Sequence, residues 1–274
     1  MKRVGILYHP KIDKAKTFSR DLEKFLKTQG ISFWTCSAWQ EAEAKAQIAG
    51  SDLVCSIGGD GTILRTLRAI VPNKVPVVGI NLGNLGFMTE LKADEAFDKL
   101  PRLFGGEGWT EERAMLEAEL PSQKKVFQAV NDVFVGRRSL ARLVHIETRV
   151  DGEILSTHRA DGVIVSTATG STAYLLAAGG PILYPDARQM VFKPICPHLS
   201  LDNAVVLPPE AKIQMKVTTT HEAMLSIDAQ VEMPLSSGEE VKVKQSAHVA
   251  RFLRLRPKGY FYSYLESMLK GKRS

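Results

Sequence analysis

The chain has 274 residues, 44% of them apolar and 24% charged, with a formal charge of +6. Those fractions suit a soluble globular protein of one large or two modest domains and exclude a disordered chain. No apolar run approaches membrane-spanning length, and the basic excess lacks interleaved aromatics or a recognition motif, so no membrane and no nucleic acid is an expected partner.

Met1-Lys2-Arg3 precedes an apolar run over 4–8 that is too short for a secretory segment and reads as a first strand. A helix follows with Ala15, Phe18, Leu22, Phe25 and Leu26 on one face, then a strand over 31–35, a helix over 39–48 and a strand over 53–57. Next come Gly58-Gly59-Asp60-Gly61-Thr62 and a helix carrying Ile63, Leu64, Leu67, Ile70 and Val71 on one side. A strand over 75–80 ends in Asn81-Leu82-Gly83-Asn84-Leu85-Gly86-Phe87, and one more helix spans about 94–104. This alternation predicts a parallel sheet with helices on both faces, which binds ligands beyond the carboxyl ends of its strands. Both glycine segments fall there.

A glycine turn between strand and helix offers backbone N–H groups and the positive helix end to an anion, and Gly58, Gly59 and Gly61 leave room for a phosphate. Such a cradle has no electrostatic use for a carboxylate, yet Asp60 sits in its centre. Three roles suit it: holding a metal ion, hydrogen-bonding a hydroxyl, or accepting a proton from one. The structural alternative is an ordinary turn with Asp60 or Thr62 as helix cap.

From about Trp109 the pattern becomes strand-like, over 114–120, 126–135 and 143–150, with a hairpin turn at Val150-Asp151-Gly152-Glu153. The main interruption follows Arg159-Ala160-Asp161-Gly162 and a short apolar strand over 163–165. There, small and hydroxylated residues at 166–172 lead into a helix with Ala173, Leu175, Leu176, Ala177 and Ala178, closed by Gly179-Gly180-Pro181. Hydroxyls and amides clustered at a helix start suit a polyhydroxylated, phosphorylated ligand. Further strands are expected over 212–218, 224–227 and 241–244, and the pattern turns helical again over 260–269. Cys36, Cys55 and Cys196 show no metal-site spacing and the six histidines are scattered, so the thiols read as structural and the compartment as the reducing cytoplasm.

Gly58-Gly59-Asp60-Gly61-Thr62, Asn81 to Phe87, Asn131-Asp132, and the run from Asp161-Gly162 through Thr169-Gly170-Ser171-Thr172-Ala173-Tyr174 to Pro185 together resemble the signature blocks of the NAD kinases. The resemblance runs in order along most of the chain, to Arg254-Leu255-Arg256-Pro257 and the helix after it. The Gly-Gly-Asp-Gly block is shared with lipid and sugar kinases; the Thr-Gly-Ser-Thr-Ala-Tyr block is far more specific. The resemblance implies phosphoryl transfer from a nucleoside triphosphate, ATP, to the 2′-hydroxyl of the adenosine ribose of NAD, with a divalent ion such as Mg²⁺ as cofactor and no assigned protein ligand for it.

Carried over by residue, it makes Asp60 the proton acceptor and lays Gly61 and Arg65 against the dinucleotide, with Gly58, Gly59 and Thr62 in the phosphate loop. Asn131 and Asp132 meet the adenosine portion, Asp132 through the ribose. Arg142, Arg159, Asp161, the stretch Thr172, Ala173, Tyr174, Leu175, Leu176 and Ala177, and Gln230 complete the NAD site. Three positions depart from the family pattern: Ala168, where proline is common; Ala229, where glycine or histidine is frequent; and Asp132, where glutamate is the usual alternative. The expectation is an α/β N-terminal domain with a parallel sheet (1–105, completed by about 255–274) and a mainly β domain over 106–254 that supplies much of the NAD site. The family also implies a homodimer or homotetramer. No Gly-x-x-x-x-Gly-Lys-[Ser/Thr] loop occurs, so the triphosphate is not held in the P-loop manner. A dehydrogenase reading fails because Tyr8-His9-Pro10-Lys11 stands where Gly-x-Gly-x-x-Gly belongs.

Overall fold

Strand β1 (Arg3–Tyr8) opens a run of alternating strands and helices: α1 (Asp13–Thr28), β2 (Ser32–Ser37), α2 (Glu41–Gln47), β3 (Leu53–Ile57), α3 (Asp60–Ile70), β4 (Val77–Asn81), β5 (Leu91–Lys92) and α4 (Ala93–Phe104). A computed structural model describes residues 1–83, 86–138 and 143–271, and the chain forms two units. The first comprises Met1–Glu112 and the residues from Ala250 onward; the second comprises Arg113–Val249.

In the α/β unit the parallel order is β4-β3-β1-β2, with Val54 opposite Val77 and Val4 opposite Leu53. Strand β3 is buried at every position because helices cover both faces. On one face, Ala15, Phe18, Leu22 and Leu26 of α1 and Ala96, Leu100 and Leu103 of α4 share a core with Val4, Ile6, Cys55 and Ile57, and Phe97 stacks on Phe18 at 5.1 Å. The i, i+3, i+4 spacing of those residues is what turns one stripe of each helix to the sheet. On α3 the buried Thr66 hydroxyl bonds that of Ser56 on β3 at 2.9 Å. Phe252, far along the chain, pairs in parallel with Val77.

The chain enters the β unit along β6 (Trp109–Leu120). It continues through β7 (Lys125–Ala129), β8 (Asp132–Arg137), β9 (Val144–Val150), β10 (Glu153–Ala160), β11 (Gly162–Ser166) and α5 (Tyr174–Ala177). Strands β12 (Met190–Ile195), β13 (Val205–Leu207), β14 (Ile213–Thr218), β15 (Ala223–Ile227) and β16 (Val231–Leu235) follow, and β17 (Glu240–Arg254) leaves the unit before α6 (Tyr260–Gly271). One antiparallel set runs β10-β9-β14-β17, and the other runs β13-β12-β11-β8-β15-β16. Inward residues of both, among them Ile146, Met215, Val243, Val135, Val165 and Phe192, make one core. Alternation in β14 and in the first part of β17 sends every second side chain into it.

Three details differ from the sequence expectation. The strand expected over 126–135 is broken at Val130-Asn131, because the backbone there bonds a side chain, described below, instead of a ladder partner. The helix expected from Ala173 to Ala178 is one turn, Tyr174–Ala177, preceded by a 3₁₀ turn at Gly170–Thr172. Ala173 (φ −108°, ψ −122°) leaves helical geometry between them, and bonds from Gly179 N–H to Leu176 O and Gly180 N–H to Leu175 O end it. Strands β12 and β13 were not anticipated.

Candidate active site

In the α/β unit, Asp60 is the first residue of α3, directly beyond the carboxyl end of β3. Its carboxylate does not cap its own helix. Phe87 N–H donates to Oδ2 at 2.9 Å and Met88 N–H to Oδ1 at 3.1 Å, so the loop after β4 grips both oxygens. Gly86 is required at that approach, since a Cβ there would collide with the carboxylate. Each oxygen retains a lone pair beyond the amide it accepts. The Thr62 hydroxyl is buried without a hydrogen-bond partner among the described residues. Arg65, on the next turn of α3, lies with its guanidinium carbon 4.4 Å from the Trp39 ring centroid, and His9 meets the same ring edge-on at 4.5 Å. Burial is the main reason the His9 ring titrates below its ordinary value, with Lys11 and Arg65 adding to the effect. Asn84 and Leu85 lie outside the described residues, and so does Arg142.

In the β unit, the Asn131-Asp132 pair sits where β7 passes into β8. The Asp228 carboxylate accepts N–H bonds from Val130 (3.0 Å), Asn131 (2.7 Å) and Asp132 (3.1 Å). Asp228 and Ala229 occupy left-handed backbone, at φ +51° and +52°, in the turn between β15 and β16. Glycine takes that conformation freely, so Ala229 carries a strain there that a glycine would not. The glycine-rich run closes on the pair from another side: Thr167 Oγ1 donates to Val130 O at 2.6 Å, and Gly170 packs so tightly on Asn131 O that a Cβ would overlap it. Asn131 Oδ1 and Thr169 Oγ1 are buried with no hydrogen-bond partner among the described residues. Burial and, secondarily, the Asp228 carboxylate push the Asp132 carboxyl up to about 7.

The remaining residues separate. Asp161 pairs with Arg137 of the adjacent strand at 2.8 Å, not with Arg159, which is exposed on β10. Tyr174 is 44% exposed, with its ring 5.9 Å from that of Phe134. Thr172 and Leu175 are buried, Leu175 at 0% exposure. Ala173 and Leu176 are half-buried, Ala177 is exposed, and Gln230 closes the Asp228 turn through its N–H to Ile227 O. Asp228 was the residue that sequence reasoning passed over; its signal was a carboxylate in a three-residue turn between two strand-like segments. Cys36 and Cys55 are buried, and burial pushes both thiols up to about 12, as befits inert packing residues.

Residues 13–108 match the ATP-NAD kinase N-terminal domain and residues 130–255 the ATP-NAD kinase C-terminal domain. An NAD kinase of Dehalococcoides mccartyi is 43% identical across 98% of this chain and 96% of its own length. The chain belongs to the NAD kinase family. The NAD kinase of Chloroflexus aurantiacus is 38% identical over 98% of this chain and 99% of that kinase. An NAD kinase from Archaeoglobus fulgidus, solved in complex with ATP, superposes with a TM-score of 0.79 at 26% identity, covering 97% of this chain and 98% of that one. No group of three or more His, Cys, Asp or Glu that could hold a metal ion occurs among the described residues.

Proposed function

We propose that this NAD kinase family member makes NADP by setting the 2′-hydroxyl of the adenosine ribose of NAD in line with the γ-phosphoryl of ATP, with Asp60 accepting the hydroxyl proton. The observation that carries the reading is the Asp60 carboxylate, held by two amides within a glycine turn of the kind that receives phosphates. In-line phosphoryl transfer needs positioning, charge neutralisation and a group that takes the proton. Amides from Phe87 and Met88 fix the carboxylate's orientation, and its remaining lone pairs face outward from those bonds.

Gly58, Gly59 and Thr62 line the phosphate turn, and Gly61 and Arg65 contact the dinucleotide. Asn131 offers a buried, unpartnered carbonyl oxygen to the adenosine, and Asp132, protonated up to about pH 7, both donates to and accepts from ribose hydroxyls. Tyr174, Asp161 and Gln230 border the same ligand, with Arg142 and Arg159 supplying positive charge. A divalent ion such as Mg²⁺, when bound, would neutralise charge on the transferring phosphoryl group. We assign the protein to the cytoplasm and to a homodimer or homotetramer formed through the β unit, where edge strands need cover; no helix among the described residues is long and apolar enough to cross a membrane.

Asp60→Asn tests the reading, because it keeps size and hydrogen-bonding reach and removes the proton acceptor. Turnover should fall by about 10² to 10⁴, the usual worth of general-base catalysis, with NAD affinity near normal. Turnover near wild type refutes the assignment, and recovery on raising Mg²⁺ makes Asp60 a metal ligand instead.

A further inference from the structure

We infer that Arg254 is a positioning residue for Asp60. The inference rests on the reading of Asp60 as proton acceptor and extends it to the residues that aim the carboxylate. The amides gripping Asp60 belong to Phe87 and Met88, and the segment that carries them is itself tied to the last residues of β17. Arg254 Nη1 donates to Met88 O at 3.0 Å and to Glu90 Oε2 at 3.3 Å, while its Nε donates to Glu111 Oε2 at 2.8 Å. Glu90 answers from the loop side: its Oε1 accepts Leu255 N–H at 3.0 Å and Arg256 N–H at 2.9 Å. Met88, Thr89, Glu90 and Arg254 are all buried, and the Arg254 guanidinium lies over the Phe252 ring at 4.7 Å. Thr89 Oγ1 accepts Gly86 N–H at 2.6 Å and Glu90 N–H bonds Gly79 O at 2.9 Å, so the segment from Gly86 to Glu90 is pinned.

A buried ion cluster of this kind contributes little net stability compared with well-packed apolar side chains of equal volume. What it supplies is a single geometry. A planar guanidinium serves a carbonyl and two carboxylates at once, which an ammonium on a flexible stem does not. Arg254 therefore fixes Met88, Met88 and Phe87 fix the Asp60 oxygens, and the orientation of the proton acceptor depends on a residue nearly two hundred positions later in the chain.

The test is a double-mutant cycle in the full-length protein, pairing Arg254→Lys with Asp60→Asn and measuring kcat, KM for NAD and ATP, and melting temperature. Arg254→Lys alone should lower kcat about ten- to a hundredfold, the loss that a misplacement near 1 Å produces, while both KM values stay within about twofold. In the Asp60→Asn background the same substitution should not lower the residual turnover further, because a residue acting through Asp60 has nothing left to position. Unchanged kcat for Arg254→Lys, or losses that multiply in the double variant, overturns the inference. Glu90→Gln, which keeps an acceptor for the two backbone N–H groups but removes the charge, takes Arg254→Lys's place if that variant does not fold. Failure of both to fold assigns the cluster to stability and also overturns it. Full turnover of Asp60→Asn would sink the base reading itself; an impaired Asp60→Asn beside a fully active Arg254→Lys sinks only the positioning role.

Discussion

The two units use the same bond in opposite senses. In the α/β unit a carboxylate at the candidate site, Asp60, is held by backbone amides of a neighbouring loop. In the β unit a loop at the candidate site, Val130 to Asp132, is held by the carboxylate of a neighbouring turn, Asp228. On the proposed reading the acid is the working group in the first case and the amides are its support; in the second the acid is the support. The contrast teaches that an aspartate bonded to backbone amides does not announce its role by those bonds. What separates the two is the remainder of each group: Asp60 has lone pairs to spare at a ligand-type turn, whereas Asp228 spends its oxygens on three amides and has a relative exposure of 5%.

That contrast breaks most severely at Asp228. Asp228→Ala leaves three buried N–H groups without their acceptor, and each such orphan costs about 1–3 kcal/mol. The expected outcome is a loss of several kcal/mol, read as a melting temperature lowered by roughly 10 °C or more, or failure to fold. Asp228→Asn keeps one acceptor oxygen and should fall between. A melting temperature for Asp228→Ala within a degree or two of wild type would remove Asp228 from its supporting role.

On the other side, Gly86→Ala places a methyl group against the Asp60 carboxylate. Displacing the acceptor should lower kcat about ten- to a hundredfold. Stability should change less than for Asp228→Ala, because the methyl meets the end of a side chain and the two amides it would leave are only part-buried. A fall in melting temperature as large as that of Asp228→Ala would show Asp60 to be a structural acid after all, and the contrast would collapse.

Much of the α/β unit was legible because its signals are local. The apolar runs over 4–8 and 53–57 are strands, and the stripes from Ala15 to Leu26 and from Ile63 to Ile70 face the core. The β unit hid its details in long-range chemistry. The break at Val130-Asn131 is imposed by a carboxylate 98 residues away, which no window of sequence displays. Strand β12 holds a charged residue, Lys193, at a buried position, and its ammonium reaches Asp202 at 2.7 Å. The partner of Asp161 is likewise distant in sequence: it is Arg137 on β8, a cross-strand neighbour. Asp60 stands out in the sequence because a carboxylate in a phosphate-type turn is chemically out of place.

The titration of Asp132 sharpens the comparison at moderate scale. Its carboxyl is raised from an ordinary 3.8 to about 7, so the native state keeps a proton that the unfolded chain has released. Below pH 3.8 both states are protonated and this group adds no pH dependence. From there to about 7 stability falls as pH rises, because the native state binds more protons, and above it the contribution is flat. Asp132→Asn should flatten that part of the profile and melt above wild type at pH 8 by a few degrees, on the order set by 1 kcal/mol or more in a chain of this size. Parallel melting curves for the two proteins between pH 4 and 8 would place the Asp132 carboxyl back in the ordinary range.

The smallest expected effect concerns Trp39, which holds Arg65 by its ring face at 4.4 Å. A cation over an indole at a partly exposed site is worth about 0.5–1 kcal/mol, and the ring also keeps the guanidinium from wandering into solvent. If Arg65 contacts the dinucleotide, the free protein already holds that charge in place and binding spends less on ordering it. Trp39→Ala should therefore raise KM for NAD about two- to fivefold with kcat nearly unchanged, the pattern of lost uniform binding. Trp39→Phe, which retains a weaker ring face, should restore part of the affinity, and Arg65→Ala should make the two Trp39 variants indistinguishable. His9 touches the same ring, so an effect that persists in the Arg65→Ala background would move the role from Arg65 to the His9 side of the indole.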